Sequence, residues 1–179
     1  MQSPVTVSPL ESFLLQPDIE ESPAWEFING QSIQKPMPGL FHSRIQLNLI
    51  NAINERTERY EALQEFRCIV PPMSPVPDIC IIAIERFSEE NGPFTDTPDW
   101  IVEILSPEQS TLPIQTKILH MLGNGTQLAW LIDAQRQQVW VWQGEELPQV
   151  RSSEDTLPTL DIIFESLTVE AVMDMTRRR

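Results

Sequence analysis

The sequence predicts an α/β fold, a mixed β-sheet covered by helices on both faces and preceded by an N-terminal β-hairpin. Three observations predict it. Two short, β-branched, nearly continuous apolar runs, Pro77–Ala83 and Asp99–Leu105, have the composition of strands buried on both faces. Segments of helical periodicity flank them, at about 42–60 and 113–122. Asn29-Gly30 separates two extended runs in WEFINGQSIQ, and Asn-Gly is the strongest short hairpin signal because a type I′ turn needs positive φ at both central residues. A length of 179 residues, 41% apolar and 21% charged, suits one packed domain, read as residues 25–176 with residues 1–24 as an extension packing on it.

Taken in order, Ser8–Gln16 reads as a short helix, and the loop PDIEESP leads into the hairpin. KPMPGLF breaks the chain with two prolines and a glycine. In the helix over 42–60, Ile45, Leu49, Ala52 and Ile53 form one buried stripe. Glu65–Val70 reads as a strand stopped by Pro71-Pro72. The polar, Gly/Pro-punctuated stretch 85–98 reads as a mobile loop with room for a lid. Thr111 as N-cap, Pro113 in the first turn and Gly123 as stop delimit the second helix. LAWLID (128–133) and QVWVW (138–142) form a hairpin pair. Trp140 and Trp142 alternate with Val139 and Val141, so that strand is apolar on both faces, which points to a covering helix or a homodimer contact. The tail carries a strand near Leu160–Phe164, a helix over Leu167–Met175 and a frayed Arg177–Arg179.

Twelve Lys+Arg against 26 Asp+Glu give a net charge of −14, which excludes a generic nucleic-acid coat protein. An enzyme that meets DNA through a local patch and bound cations remains compatible, and Arg44, Arg56, Arg59 and Arg67 supply such a patch from neighbouring segments. Cys68 and Cys80 are too few for a disulfide framework and read as buried small hydrophobes in a reducing compartment. There is no basic region ahead of the first apolar stretch, and no run approaches the roughly 20 apolar residues of a bilayer span, so a cytoplasmic location without a membrane partner is expected.

Chemistry enters with two acids planted in apolar strands, Asp78 and Glu103. A buried carboxylate is costly unless it is paired, hydrogen-bonded or bound to metal. Asp78 alone reads as a turn cap or as the partner of an arginine; Glu103 has fewer innocent explanations. On neighbouring strands the two would converge on one hard cation such as Mg²⁺. Lys117, one of only two lysines with Lys35, falls at the edge of the apolar stripe of its helix, where it either snorkels to solvent or projects towards the carboxylates. His42 reads as a neighbour of a helix start, and His120 as a surface residue.

Asp78 after Pro77, Glu103 in apolar-Glu-apolar-Leu-Ser-Pro and a lysine on the next helix resemble the PD-(D/E)XK nuclease superfamily. More closely, WEFINGQ, His42, VPDI, DWIVEILSP, Lys117 and GTQLAWLID resemble the putative restriction endonuclease family of uncharacterised bacterial proteins, over roughly residues 20–170. The resemblance implies a restriction-endonuclease-like core. It also implies phosphodiester hydrolysis of nucleic acid, most naturally DNA, with Asp78, Glu103 and the Ile104 carbonyl holding Mg²⁺ or Mn²⁺. Lys117 would act on the attacking water or the transition state, with Glu26 and His42 as secondary candidates. The superfamily lysine two positions after the glutamate is replaced here by Leu105, and the family's lysine on the following helix is matched by Lys117. The family's Arg before Pro-Asp is Val76 here, and its Glu before the Tyr-Trp of the late strand falls where Gln127 and Ala129 stand. Those departures and the acidity define a second expectation, a catalytically inactive nuclease-like fold acting as an acidic binding or dimerisation module.

Overall fold

The structure is a computed structural model that describes residues 6–144, 147–161 and 163–177. Trp25–Ile28 (β1) and Gln31–Gln34 (β2) pair antiparallel around Asn29 and Gly30, whose φ values of 49° and 75° are those of the tight turn the dipeptide predicts. Ahead of the hairpin, Pro9–Leu14 (α1) is closed by a reciprocal capping box between Ser8 and Glu11. Phe13 of α1 stacks on Phe27 of β1 with ring centroids 5.1 Å apart, and Leu10 and Ile19 complete this small cluster.

A second sheet of six strands carries the body of the protein. Tyr60–Gln64 (β3), Ile79–Ala83 (β4), Trp100–Ile104 (β5), Leu128–Asp133 (β6), Gln138–Trp142 (β7) and Gln149–Ser152 (β8) lie side by side in chain order. All neighbours are antiparallel except β5 and β6, which run parallel because Thr111–Gly123 (α3) carries the chain back between them. Leu40–Asn54 (α2) and Val169–Asp174 (α4) cover the face that presents Trp100, Val102 and Ile104. Helix α3 covers the opposite face, where Ile114, Ile118 and Met121 pack on Cys80, Ile82, Ile101, Ala129 and Leu131. Strands β4, β5 and β6 are therefore buried throughout, as continuous apolar runs require. Among the described residues no helix is long and apolar enough to cross a membrane.

Several expectations are corrected. Helix α2 ends at Asn54 and not near 60, because its apolar stripe ends at Ile53 and the Asn54 side chain grips both backbone groups of Ala62, turning the chain into β3. Glu65–Val70 is no strand. Glu65 has a left-handed backbone (φ 45°) that ends β3, and the following residues wrap around the buried Arg67 with single bridges from Cys68 to Phe94 and from Val70 to Met73. The N-cap of α3 is Ser110, one residue earlier than Thr111. The described part of Leu160–Phe164 is turn and bend, with Leu160 and Ile163 buried beneath the sheet, and the polar Gln149–Ser152 supplies the edge strand instead. Of Arg177–Arg179, only Arg177 lies among the described residues, where it pairs with Asp174.

The loop 85–98 is tied down. Arg86 pairs with Asp96 and Asp99, each at 2.8 Å, and Phe94 is buried beside Phe66 and Phe87. His120 is half-buried, with Nε2 2.7 Å from the Val70 carbonyl, and is not a surface residue. Arg67 does not join a basic patch; it is buried, bonding Glu20, Ser74 and the carbonyls of Ile19 and Trp25.

Candidate active site

The register of β4 on β5 places Ile79 opposite Val102 and Cys80 opposite Ile101. Continued by one residue, it sets Asp78 opposite Glu103, on the face shared with Cys80 and Ile101 and covered by α3. Directly opposed side chains of an antiparallel pair are neighbours, so the two acids are held together by the sheet itself. Asp78 Oδ2 accepts the Ile104 amide at 2.7 Å, and its Oδ1 accepts the Lys35 ammonium at 2.7 Å. The Asp78 carbonyl accepts Gln46 of α2 at 2.7 Å, which fixes the backbone as well.

Lys117 comes down from α3 onto this pair. Its Nζ lies 2.9 Å from Glu103 Oε1 and donates to Glu26 Oε1 at 2.8 Å. Glu26 belongs to β1, and the same Oε1 accepts the Val76 amide at 2.7 Å. Lys35, just after β2, donates to the Val76 carbonyl at 2.7 Å. The hairpin thus delivers one acid and one base to the same spot, locked to both backbone groups of the residue before Pro77-Asp78. It is registered there by two backbone bonds between Phe27 and Ser74, of 3.1 and 2.9 Å. His42, in the first turn of α2, brings Nε2 to 3.5 Å from Asp78 Oδ1, and neither ring nitrogen has a hydrogen-bond partner.

These groups line one cavity of about 400 Å³, which Glu65, Pro107, Glu108, Gln109 and Ser110 also border. Lys35 and Lys117 retain 8% and 3% of their surface, so their charges are almost wholly inside the protein. Three buried carboxylates, Glu26, Asp78 and Glu103, face these two ammonium groups, so full ionisation would leave one negative charge in excess and a proton on Glu103 removes it. Burial is the largest influence on Glu103 and, with Asp78 and Glu26 nearby, outweighs the two lysines and raises its carboxyl to about 8. Burial alone would raise Asp78 too, but Lys35, His42 and Lys117 hold it below the usual carboxylate range. Burial disfavours both ammonium ions. Asp78 and Glu103 nevertheless raise Lys35 above its ordinary value, and Glu103 and Glu26 raise Lys117 further still.

The Uma2 family model, described as putative restriction endonuclease, matches residues 10–171. The chain belongs to that family. A crystal structure of a putative nuclease belonging to DUF820 from Anabaena variabilis ATCC 29413 superposes with a TM-score of 0.85 at 35% identity, covering 94% of this chain and 98% of that one. No curated protein matches. The Uma2 member described here accordingly has a nuclease-like fold, with a mixed sheet, flanking helices and an N-terminal hairpin.

Glu26, His42, Asp78, Glu103, Ile104 and Lys117 all border this one cavity, although they come from β1, α2, β5, α3 and the residue before β4. Sequence reasoning missed Lys35 and Glu65. A signal existed for Lys35, because a chain with two lysines that buries one near carboxylates invites the question of where the other lies.

Proposed function

We propose that this protein is a metal-dependent endonuclease that hydrolyses phosphodiester bonds, with DNA as its substrate. The observation that carries the reading is the meeting of Asp78, one residue before β4, and Glu103 of β5 on one cavity, with Lys117 2.9 Å from the second acid. The donor set fits a hard divalent cation. It offers carboxylate oxygens, and the buried Glu103 Oε1 meets the Lys117 ammonium at 2.9 Å and accepts no backbone hydrogen bond among the described residues. Among the described residues no three His, Cys, Asp or Glu side chains form a closed cage. A cation on Asp78 and Glu103 would take the rest of its shell from the Ile104 carbonyl, water and phosphate oxygens, as Mg²⁺ and Mn²⁺ do. Bound there, it supplies an acidified water and neutralises charge at the phosphate.

The chain's own residues divide the remaining work. Lys117 keeps its proton, because its environment raises its affinity for it, so it acts as a fixed positive charge on the growing phosphorane oxygens and not as a base. Glu26 holds Lys117 in place while its own position is fixed by the Val76 amide. His42, with both ring nitrogens unpartnered, orients a water or a phosphate oxygen beside Asp78.

The test is a melting curve and a cleavage assay on the same preparations. Millimolar Mg²⁺ or Mn²⁺ is expected to raise the melting temperature, Asp78→Asn to abolish the rise, and plasmid or structured DNA to be nicked by wild type and not by Asp78→Asn or Glu103→Gln. RNA offered in parallel decides the nucleic acid. The overall charge of −14 favours a second reading, an inactive acidic binding or dimerisation module. It expects metal-insensitive melting, no nicking and a dimeric mass by light scattering.

A further inference from the structure

The ammonium of Lys35 stands 2.7 Å from Asp78 Oδ1, against the carboxylate that a divalent cation would need. The other oxygen of Asp78 is held by a backbone amide of the sheet, whereas Lys35 is a side chain that also donates to the Val76 carbonyl at 2.7 Å and could keep that anchor while its contact with Asp78 is given up. Glu65 Oε1 lies 3.8 Å from the same ammonium, borders the same cavity, and is partly open to solvent, with 35% of its side chain exposed. Its place is specified by the backbone, because Glu65 adopts φ 45°, a region a side-chain-bearing residue occupies only under constraint, and its amide donates to the Asp78 carbonyl at 3.1 Å. Lys117 has no such freedom, being shared between Glu26 and Glu103.

We propose that Lys35 is a displaceable counter-ion of Asp78. When a divalent cation engages Asp78 and Glu103, the Lys35 ammonium leaves Asp78 Oδ1 for Glu65. Lys35 is then a positioning residue: it keeps Asp78 ionised and oriented before metal arrives, and its departure sets the threshold for metal uptake. The inference rests on the metal-dependent reading of the site.

The chain has only two lysines, so labelling with nitrogen-15 lysine yields two Nζ signals, which Lys35→Arg tells apart. In wild-type protein titrated with MgCl₂, the Lys35 signal is expected to move in step with the rise in melting temperature, and Glu65→Gln to reduce that movement. Followed by Mn²⁺ electron paramagnetic resonance, Lys35→Gln is expected to bind Mn²⁺ about tenfold more tightly or better, because a cationic competitor is gone. Lys35→Arg should stay near wild type. A Mg²⁺-dependent rise in melting temperature with an unmoved Lys35 signal overturns the inference and leaves the metal-dependent reading standing. So does a folded Lys35→Gln that binds Mn²⁺ no more tightly than wild type. Absence of any Mg²⁺ effect on melting or on either signal overturns both.

Discussion

Glu103 concentrates the conflict between burial and charge, and its effect on stability has a definite sign. Its carboxyl titrates near 8 in the folded protein against an ordinary 4.5. The folded state therefore keeps a proton that the unfolded chain has lost, and the stability this contributes is fully present below about pH 4.5 and lost as pH rises towards 8. The raised lysines act above about 10.5 and the lowered Asp78 below about 3.8, both outside that window. The melting temperature of metal-free protein should fall from pH 5 to about 8, and Glu103→Gln should flatten the fall. Lys117→Ala, which leaves Glu26 and Glu103 buried without their cation, should cost about 3–5 kcal/mol by urea denaturation. Glu103 was legible because an acid inside a run of Ile, Val and Leu has few innocent roles. Lys35 was legible only through the scarcity of lysine in the chain, because it follows a polar strand and precedes Pro-Met-Pro, and nothing local reveals that its side chain turns inward.

At the scale of elements, the hairpin β1–β2 is the part on which the site most depends. It contributes Glu26 from its first strand and Lys35 from just beyond its second, and its own pairing is confined to itself and the bridge to Ser74. Gly30 has φ 75° and open space where a Cβ would sit, so Gly30→Ala adds strain without a clash and should cost about 1 kcal/mol. Cleavage should drop further than that loss of stability explains, because Glu26 and Lys35 move together; activity measured alongside a denaturation midpoint checks it. The hairpin, the central strands and the two long helices were visible in the sequence through turn chemistry, apolar runs and a 3.6-residue stripe. The edge strands β3 and β8 were not, because edges carry polar residues such as Glu61, Gln64, Gln149 and Arg151 that imitate loops. Glu65–Val70 misled for the opposite reason, since its apolar residues are buried by packing around a loop and not by a ladder.

Across the whole molecule, acidity sets how a polyanion is approached. Both lysines are interior, and among the described residues every arginine already has a partner within the chain, as Arg59 has Asp161, Arg136 has Asp133 and Arg44 the Thr176 carbonyl. Among the described residues few free cations then remain to release counterions from DNA. The logarithm of affinity against the logarithm of salt should have a slope no steeper than about −2, measured on a short duplex with Ca²⁺ replacing Mg²⁺ to suppress cleavage. This sparseness was legible in the net charge of −14, whereas the consumption of Arg67 by its own fold was not.

Val76 has a sealed side chain, and its amide and carbonyl are spoken for by Glu26 and Lys35. What matters to the site at this position is main chain, so Ala should lower stability by about 1–3 kcal/mol through lost packing and leave cleavage by the folded protein little changed. Proline, although apolar and compact, would delete the NH that steadies Glu26 and so detach the ribbon from the chemistry it serves.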